Sequence, residues 1–435
     1  MERFALSRMK EWKENENRKP LIIRGARQVG KTWIMKTFGQ QYFEKTAYVN
    51  FDNNARMKQV FEVDLDIERL VLSISAETGV SIEAENTLII FDEVQEVPKA
   101  LTSLKYFYEN APQYAIVAAG SLLGVALHQG TSFPVGKVDF LDLYPLNFRE
   151  FLCAMGEKQF VSMLDSCDTQ MVTVFKTKYI ERLREYYFVG GMPEVVKDFS
   201  EKKDYNRVRA IQKNLINYYQ QDFSKHAEIK LVPRLNLVWN SIPMQLAKEN
   251  KKYIYGQVRE GSRAKDFELA IQWLLDCGLI HKVQRIQKPD LPLKAYIDFD
   301  AFKLFLVDIG LLIAMTDLDA KVIIEGNKIF TEFKGALTEQ YILQQLISDV
   351  GVIPYYYSTQ NSKGEIDFLV QGKTSVIPIE VKAEENLRAK SLRAFCDKYN
   401  PDYAVRTSMS DYREQDWMTN IPLYNIDRIT TFTSR

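Results

Sequence analysis

Histidine and cysteine are the residues that this 435-residue sequence contains least. The three histidines and four cysteines are widely spaced, at His128, His226, His281, Cys153, Cys167, Cys277 and Cys396. A histidine-rich metal site and a hydrolase triad built on histidine are therefore not expected. The cysteine spacing matches neither a zinc site nor a disulfide framework, and it is typical of a protein in a reducing cytosol.

An excess of one charge and a long apolar run are also missing. Lys and Arg together number 57, as do Asp and Glu, so no global positive field indicates a nucleic-acid partner. The longest apolar run, residues 304–315, is interrupted by Asp308 and is too short to cross a bilayer. The first 20 residues are charged and lack the apolar stretch of a secretory signal. These absences predict a soluble, cytoplasmic protein that binds any nucleic acid through a local surface.

The length predicts two or three packed units. Residues 1–150 alternate short apolar strand patterns with helical patterns, which predicts an α/β domain with a parallel sheet. Residues 151–224 are mostly helical and predict a lid or linker. Residues 225–315 predict helices followed by a small hairpin, the order found in a winged helix. Residues 316–435 predict a helix, three strands, a helix and a strand.

A phosphate-binding loop is the clearest functional signal. The apolar strand LIIR is followed by Gly25, Gly30, Lys31 and Thr32 at Walker A spacing, and then by a helical pattern. Glycine lets backbone N–H groups approach a phosphate, and a helix N-terminus favours its negative charge. Lys31 is expected to reach the β- and γ-phosphates, and Thr32 to ligate Mg²⁺. The residues expected to contact ATP are Gly25, Ala26, Arg27, Gln28, Val29, Gly30, Lys31, Thr32 and Trp33.

An acidic pair, Asp92 and Glu93, follows the buried-type strand TLIIF. This is a Walker B pattern, in which Asp92 holds Mg²⁺ through water and Glu93 polarises the attacking water. Ser121 ends the strand pattern YAIVAAGS, where a sensor of the γ-phosphate is expected between the two Walker strands. The two Walker patterns together predict binding and hydrolysis of ATP.

Two arginines are further candidates for the same chemistry. Arg149, in PLNFREFL, could stabilise transition-state charge in cis or in trans, because arginine keeps its charge and presents a planar fork. An ordinary ion pair on a helix surface explains Arg149 at least as well, and Arg27 also fits a solvent-facing position. An arginine acting in trans would imply a homo-oligomer.

Carboxylates in the last hundred residues form a second candidate site. The segment KGEIDFLVQGKTSVIPIEVKAEE is typical of two strands, with Asp367 on the first and Glu380 and Lys382 on the second. Residues two apart in a strand share a face, so Glu380 and Lys382 are expected to project together. Close carboxylates favour a divalent cation between them, with Glu339 as a further ligand and Lys382 stabilising negative charge on a phosphodiester. A salt-bridged strand pair also explains the Glu-x-Lys element taken alone, but the surrounding order of helices and strands favours the metal site.

A helix beginning at Ser262 or Arg263 is the candidate for reading DNA, with Gly278 as its stop signal. Its predicted apolar face consists of Phe267, Ile271, Leu274 and Leu275. Basic residues predominate just before and within it, at Lys248, Lys251, Lys252, Arg259, Arg263 and Lys265. These side chains are suited to phosphate contacts. A winged helix used only for packing against protein explains the same pattern equally well.

The combination resembles a family of prokaryotic AAA-type ATPases fused to a winged helix and a C-terminal PD-(D/E)XK restriction-endonuclease-like domain. The resemblance covers nearly the whole chain and rests on GARQVGKT, YVNFD, FDEVQ, AAGSLL, YPLNFREF, VGGMPE, LVDIGLL, GEIDFLV and IPIEVKA. It implies an α/β fold with an AAA+ (ASCE-type) P-loop NTPase sheet, a helical lid, a winged helix and a nuclease-like α/β domain. Lys137 stands where the family is expected to carry arginine, which weakens an arginine-finger role at that position.

Two hypotheses of function follow. In the first, the chain hydrolyses ATP with Mg²⁺, and the nucleotide cycle repositions a winged helix and a nuclease-like domain that acts on DNA with a second Mg²⁺ or Mn²⁺. In the second, the chain is a nucleotide-dependent switch whose C-terminal domain binds a protein or nucleic acid without cleaving it. Both hypotheses require that the phosphate loop binds ATP.

Overall fold

The structure is a computed structural model of the chain. It describes residues 1–120, 133–166, 168–248, 251–325, 331–359, 364–385 and 389–434. The chain divides into two compact units. The N-terminal unit comprises Glu2–Tyr144 and Asp276–Leu279, and the C-terminal unit comprises Pro145–Leu275 and Ile280–Arg435.

A parallel five-stranded sheet forms the centre of the N-terminal unit. Its strands are β1 (Leu21–Arg24), β2 (Lys45–Asn50), β3 (Thr87–Asp92), β4 (Ala115–Ala119) and β5 (Asp139–Asp142). They lie in the order β2-β3-β4-β1-β5, and each neighbouring pair is parallel. Every residue of β3 is buried, as its run of apolar residues requires for a strand covered on both faces. The predicted α/β fold with a parallel sheet is therefore confirmed for this unit.

Helices α2 to α5 connect the strands of this sheet. The helices of the unit are α1 (Ala5–Glu14), α2 (Lys31–Tyr42), α3 (Ala55–Val63), α4 (Ile67–Thr78) and α5 (Pro98–Asn110). The side chains of Asn54 and Asp66 accept backbone N–H groups at the starts of α3 and α4, satisfying donors that have no partner within a helix. Phe51, Phe61 and Phe91 meet edge to face beside the sheet and anchor these helices in the core.

The C-terminal unit begins with a series of helices. They are α6 (Phe148–Ala154), α7 (Lys158–Asp165), α8 (Thr169–Val174), α9 (Lys176–Val189), α10 (Pro193–Lys202), α11 (Tyr205–His226), α12 (Val232–Leu246), α13 (Tyr255–Val258) and α14 (Ala264–Asp276). A capping box between Asn147 and Glu150 begins α6, so the YPLNFREF phrase encodes a helix start. Among the described residues, no helix is both long enough and apolar enough to span a bilayer.

An eight-stranded sheet occupies the rest of the C-terminal unit. Its strands are β6 (Ile280–Ile286), β7 (Ile297–Leu306), β8 (Tyr355–Ser358), β9 (Glu365–Gln371), β10 (Val376–Val381), β11 (Val405–Ser408), β12 (Arg413–Glu414) and β13 (Thr419–Pro422). The accompanying helices are α15 (Ile309–Met315), α16 (Ala320–Ile324), α17 (Thr331–Gln345), α18 (Lys390–Tyr399) and α19 (Thr430–Thr433). A π-helical turn, Leu346–Val350, follows α17, and a 3₁₀ segment, Leu423–Ile429, precedes α19. The order of α17, β8 to β10, α18 and β11 is the order predicted for this region.

The hairpin of β6 and β7 belongs to the same sheet as the strands that follow it. The strand order is β12-β13-β11-β10-β9-β8-β6-β7. β6 pairs with β7 in antiparallel and with β8 in parallel orientation. Helices followed by a hairpin are thus present where a winged helix is predicted, and the hairpin is continuous with the C-terminal strands. The proposed division at residues 315 and 316 separates segments that share one sheet.

Two phrases outside the Walker motifs, VGGMPE and LVDIGLL, meet in the C-terminal unit. The carboxylate of Asp308 accepts hydrogen bonds from the backbone N–H of Gly191 (2.6 Å) and of Leu311 (3.1 Å). Gly190 has a φ of 73°, and a Cβ there would lie 2.2 Å from Asp308 Oδ1. Burial raises the pKa of Asp308 to about 6. Both phrases therefore have a structural role in this unit.

Candidate functional sites

The loop between β1 and α2 has the backbone expected of a phosphate-binding loop. Gly25, Gln28 and Gly30 have φ values of 145°, 65° and 95°, a region that favours glycine. A Cβ on Gly25 would lie 2.1 Å from the carbonyl oxygen of Leu143, so the first glycine is also required by packing. Gly30 directly precedes α2, which leaves the N–H groups of the first helical turn directed toward the loop.

Lys31 is held inside this loop. Its Nζ donates hydrogen bonds to the carbonyl oxygens of Gly25 and Ala26, both at 2.8 Å, and the residue is 7% exposed. Burial lowers the pKa of Lys31 to about 8, although the nearby carboxylates of Glu93 and Asp92 act in the opposite direction. A phosphate anion at the loop would stabilise the charged form of this ammonium group. The surroundings of Lys31 therefore fit an anionic ligand.

Thr32 and Asp92, the two residues predicted to ligate Mg²⁺, are in contact. The Thr32 hydroxyl donates to Asp92 Oδ2 at 2.7 Å, and the Tyr48 hydroxyl donates to the same oxygen at 2.9 Å. The backbone N–H of Glu93 donates to Asp92 Oδ1 at 3.1 Å, and Asp92 is 3% exposed. Burial and the adjacent Asp92 raise the pKa of Tyr48, so its hydroxyl remains a donor. A hydroxyl and a carboxylate at this distance suit an oxygen-liganded Mg²⁺ with bound water.

Glu93 is fixed by its backbone and by a neighbouring amide. Its φ is 52°, a left-handed conformation that is strained for a residue with a side chain. The Nε2 of Gln95, in the 3₁₀ turn Val94–Glu96, donates to Glu93 Oε2 at 2.7 Å. Strained residues of this kind concentrate at active sites, which is consistent with the predicted role of Glu93.

Tyr48 and Gln95 are contacts that the motif analysis did not identify. Both lie in phrases that carry the family resemblance, Tyr48 in YVNFD and Gln95 in FDEVQ. Membership of those phrases was the only sequence feature that could have indicated a role for them. The parallel pairing of β2 with β3 is what places Tyr48 beside Asp92.

The other residues predicted to contact ATP vary in exposure. Ala26 and Val29 are buried, Arg27 is half-buried, and Gln28 and Trp33 are exposed. β4 lies between β1 and β3, where the sensor strand is predicted, but Ser121 itself lies outside the described residues. Lys137, at the position discussed for an arginine finger, pairs with Glu109 at 3.0 Å.

Arg149 belongs to the C-terminal unit, where it pairs with carboxylates. Its guanidinium forms an ion pair with Asp165 and lies 3.6 Å from Asp349 and 3.6 Å from Asp427. Burial and the nearby Asp427 carboxylate raise the pKa of Asp349 despite the positive charge of Arg149. The surroundings match the alternative of an ion pair better than a free catalytic arginine.

Glu380 and Lys382 contact each other at the end of β10. Lys382 Nζ lies 2.6 Å from Glu380 Oε1, and Glu380 Oε2 accepts the backbone N–H of Leu392 at 2.9 Å. On the neighbouring antiparallel strand β9, Asp367 Oδ2 accepts the backbone N–H of Val381 at 2.7 Å. The predicted strand pair thus brings Asp367 to the same end of β10 as Glu380 and Lys382.

Glu339, Glu365 and Asp367, here called the carboxylate cluster, are contacted by two lysines. Lys251 forms an ion pair with Glu339, and the buried Lys303 forms one with Glu365. Lys303 Nζ also lies 3.7 Å from Glu339 Oε2. Among the described residues, no group of three Asp, Glu, His or Cys side chains is arranged to hold a metal ion. Lys251 was predicted to contact phosphate, and the structure assigns it to Glu339 instead.

The pKa shifts in the carboxylate cluster follow from burial and from these ion pairs. Burial and the proximity of Glu339 raise the pKa of Asp367 well above its usual value. Burial opposes ionisation of Glu339, but the ammonium groups of Lys251 and Lys303 outweigh it and lower its pKa. Glu339 and Glu365 likewise raise the pKa of Lys303 despite its burial. The lysines therefore favour the charged form of Glu339, while Glu339 disfavours ionisation of Asp367.

The helix proposed to read DNA is α14, which begins at Ala264. Three of the four residues of its predicted apolar face, Phe267, Ile271 and Leu274, are buried, and Leu275 is half-buried. Gly278 has a left-handed φ of 69° two residues after the end of the helix. The exposed basic residues before and within it are Arg259, Arg263 and Lys265. The basic surface is therefore smaller than the sequence indicates.

Three family matches cover most of the chain. Residues 17–152 match the family described as AAA domain. Residues 180–322 and 334–426 match two families described only as domains of unknown function, DUF8612 and DUF4143. The AAA domain match supports the predicted AAA-type P-loop domain, while the winged helix and the nuclease-like domain stay predictions. No curated protein sequence shows significant similarity to the chain.

Solved structures show distant similarity. The Walker-type ATPase PABY2304 of Pyrococcus abyssi is 14% identical, with a TM-score of 0.44, over 72% of this chain and 95% of that chain. The Orc1 protein of Aeropyrum pernix in complex with DNA is 13% identical, with a TM-score of 0.27, over 72% and 91%. Cdc6p of Pyrobaculum aerophilum is 11% identical, with a TM-score of 0.25, over 74% and 93%.

Proposed function

We propose that this chain is a Mg²⁺-dependent ATP hydrolase whose nucleotide state controls binding of DNA by its C-terminal unit. The contact that carries the proposal is the 2.7 Å hydrogen bond between the Thr32 hydroxyl and Asp92. It joins the ends of the two Walker patterns in the manner that Mg²⁺-bound triphosphate requires, next to a buried lysine and a strained glutamate.

Each residue of the ATPase domain has a distinct role in this proposal. The loop amides from Gly25 to Gly30 bind the phosphates, and Lys31 exchanges its carbonyl contacts for phosphate oxygens. Thr32 and Asp92 hold Mg²⁺, which neutralises phosphate charge when bound. Glu93 orients and polarises water for attack, and Gln95 holds its carboxylate in place.

DNA is the partner proposed for the C-terminal unit. The order of α17, β8 to β10, α18 and β11, with acidic residues at the end of β10, supports a nuclease-like fold for residues 316–435. Arg259, Arg263 and Lys265 are exposed at the start of α14, which supports phosphate contacts there. Three basic residues provide few phosphate contacts, so DNA binding through this surface is expected to be weak and to depend also on the nucleotide state.

Binding of a fluorescent DNA duplex, followed by anisotropy with and without ATP, tests the proposal. The Glu93→Gln protein with ATP should bind DNA differently from the Lys31→Ala protein, because the first retains ATP and the second cannot grip it. Arg263→Ala with Lys265→Ala should weaken DNA binding and reduce the slope of log affinity against log salt by roughly two. The matched control is Lys225→Ala with Lys230→Ala, two exposed lysines of the same unit. Equal DNA affinity for all these proteins would contradict the DNA assignment, and absence of ATP hydrolysis by the unaltered chain would contradict the enzymatic one.

A further inference from the structure

Two lysines supply positive charge inside the carboxylate cluster. Lys303, on β7, is 0% exposed and forms an ion pair with Glu365, while its Nζ lies 3.7 Å from Glu339 Oε2. Lys251, before α13, forms an ion pair with the other oxygen of Glu339. Both oxygens of Glu339, the residue predicted as a metal ligand from α17, thus face ammonium groups.

The remaining acidic groups also have partners within the protein. Asp367 accepts the backbone N–H of Val381. Glu380 uses one oxygen for Lys382 and the other for the backbone N–H of Leu392. Each carboxylate predicted to ligate a metal is therefore already hydrogen-bonded or ion-paired.

Lysine side chains supply positive charge to the carboxylate cluster without a metal ion. The ammonium groups of Lys251 and Lys303 face the carboxylates of Glu339 and Glu365. The third carboxylate, Asp367, accepts the backbone N–H of Val381. A divalent cation at this place would meet two like charges and would have to displace at least one ion pair. The side chains present do not fit the second metal ion that the sequence implies.

We propose that Lys251 and Lys303 are built-in counter-ions that replace a divalent cation in the carboxylate cluster, so that the nuclease-like region binds its partner without cleaving it. Hydrolysis of a phosphodiester at such a centre depends on a metal ion that activates water. The two ammonium groups already contact the carboxylates that would bind this metal ion. The proposal concerns the C-terminal unit alone and is independent of ATP hydrolysis by the N-terminal unit.

Titration with Mn²⁺ alone, in the absence of ATP and DNA, tests this directly. Free Mn²⁺ is measured by electron paramagnetic resonance for the full-length protein and for Asp367→Asn, and the same proteins are assayed for Mn²⁺-dependent nicking of supercoiled plasmid. Equal Mn²⁺ binding and no nicking by either protein is the expected result. One additional Mn²⁺ bound by the unaltered chain, or nicking that Asp367→Asn abolishes, would overturn the proposal.

A second variant tests the lysines themselves. Lys251→Met should tighten Mn²⁺ binding at least tenfold, and adding Glu339→Gln should remove this gain. Lys282→Met is the matched control, because Lys282 is a half-buried lysine of the same unit and lies over the Phe302 ring. A folded Lys251→Met protein that gains no Mn²⁺ affinity would show that Lys251 is not the counter-ion. ATP hydrolysis, measured separately, remains the test of the proposed function.

Discussion

The phosphate loop and the carboxylate cluster both bring lysine close to acidic residues, and they differ in what the lysine contacts. At the loop, Lys31 Nζ bonds to backbone carbonyl oxygens, while Asp92 accepts hydrogen bonds from hydroxyl groups. In the cluster, Lys251 and Lys303 pair directly with carboxylates. A neutral hydroxyl leaves a carboxylate available to a metal, whereas an ammonium group competes with the metal for it.

The difference shows that residue types alone do not define a metal site. Both places contain the acids and the lysine that their motifs require. The charge already present around each carboxylate decides whether a cation is needed there.

Glu93→Gln should abolish most ATP hydrolysis while ATP binding is retained. Loss of a general base is expected to lower kcat by roughly 10²–10⁴-fold. Steady-state phosphate release gives kcat, and binding of a fluorescent ATP analogue gives affinity. Glu96→Gln, an exposed carboxylate of the same 3₁₀ turn, is the control and should be near normal. Unchanged ATP hydrolysis by the Glu93→Gln protein would contradict the role of Glu93 in activating water at the phosphate loop.

Lys303→Met should lower the free energy of unfolding of the C-terminal unit by about 3–5 kcal/mol, because it leaves the half-buried Glu365 without its ion-pair partner. Urea denaturation followed by circular dichroism measures the loss. Adding Glu365→Gln should restore part of it, since the two changes remove both members of an ion pair. Lys282→Met serves as the control on the same hairpin. A loss no larger than that of the control would contradict a stabilising role for Lys303.

Asp308 is a buried carboxylate that accepts hydrogen bonds from backbone N–H groups of Gly191 and Leu311. Folding raises its pKa to about 6, so the folded state holds a proton that the unfolded state releases near pH 4. Its contribution to stability is therefore present at low pH and is lost as the pH rises toward 6. Relative to Asp308→Asn, the unaltered chain should lose about 3 kcal/mol of unfolding free energy between pH 4 and 7.

Unfolding by urea at a series of pH values measures this effect. The control is Thr316→Ala, which removes the hydrogen bond from the Thr316 hydroxyl to the carbonyl oxygen of Ile313 at the end of α15. It should change the free energy of unfolding equally at every pH. The same pH dependence in Asp308→Asn as in the unaltered chain would rule out Asp308 as its source.

Tyr48→Phe should have the smallest effect. It removes one of two hydroxyl donors to Asp92 Oδ2, a change of about 1 kcal/mol, or roughly fivefold in the Mg²⁺ concentration needed for half-maximal ATP hydrolysis. Mg²⁺ titration of the ATPase rate provides the measurement, with Tyr106→Phe on α5 as control. A change in kcat alone, with no change in Mg²⁺ dependence, would show that Tyr48 does not act through Asp92.

Local patterns were sufficient to predict much of the fold and the phosphate loop. Short-range patterns carried this information: the glycine spacing, the buried strand ending in Asp92, and the alternation of strands and helices. The parallel sheet and the AAA domain match agree with the α/β domain that these patterns predict. The contacts of Tyr48 and Lys251 were missed because their partners lie 44 and 88 residues away along the chain. In the sequence Asp308 is only an interruption of an apolar run. The hydrogen bond that its carboxylate accepts from the backbone N–H of Gly191 explains why it is tolerated there.

The sequence by itself was enough to predict an AAA-type domain with a phosphate loop in residues 17–152, because that loop is encoded within one strand, one turn and one helix. Tertiary structure alone decided which charges surround each acidic group. Lys303 reaches Glu365 only because β6 joins the hairpin to β8, and a charge pair formed by strands distant in sequence leaves no local pattern.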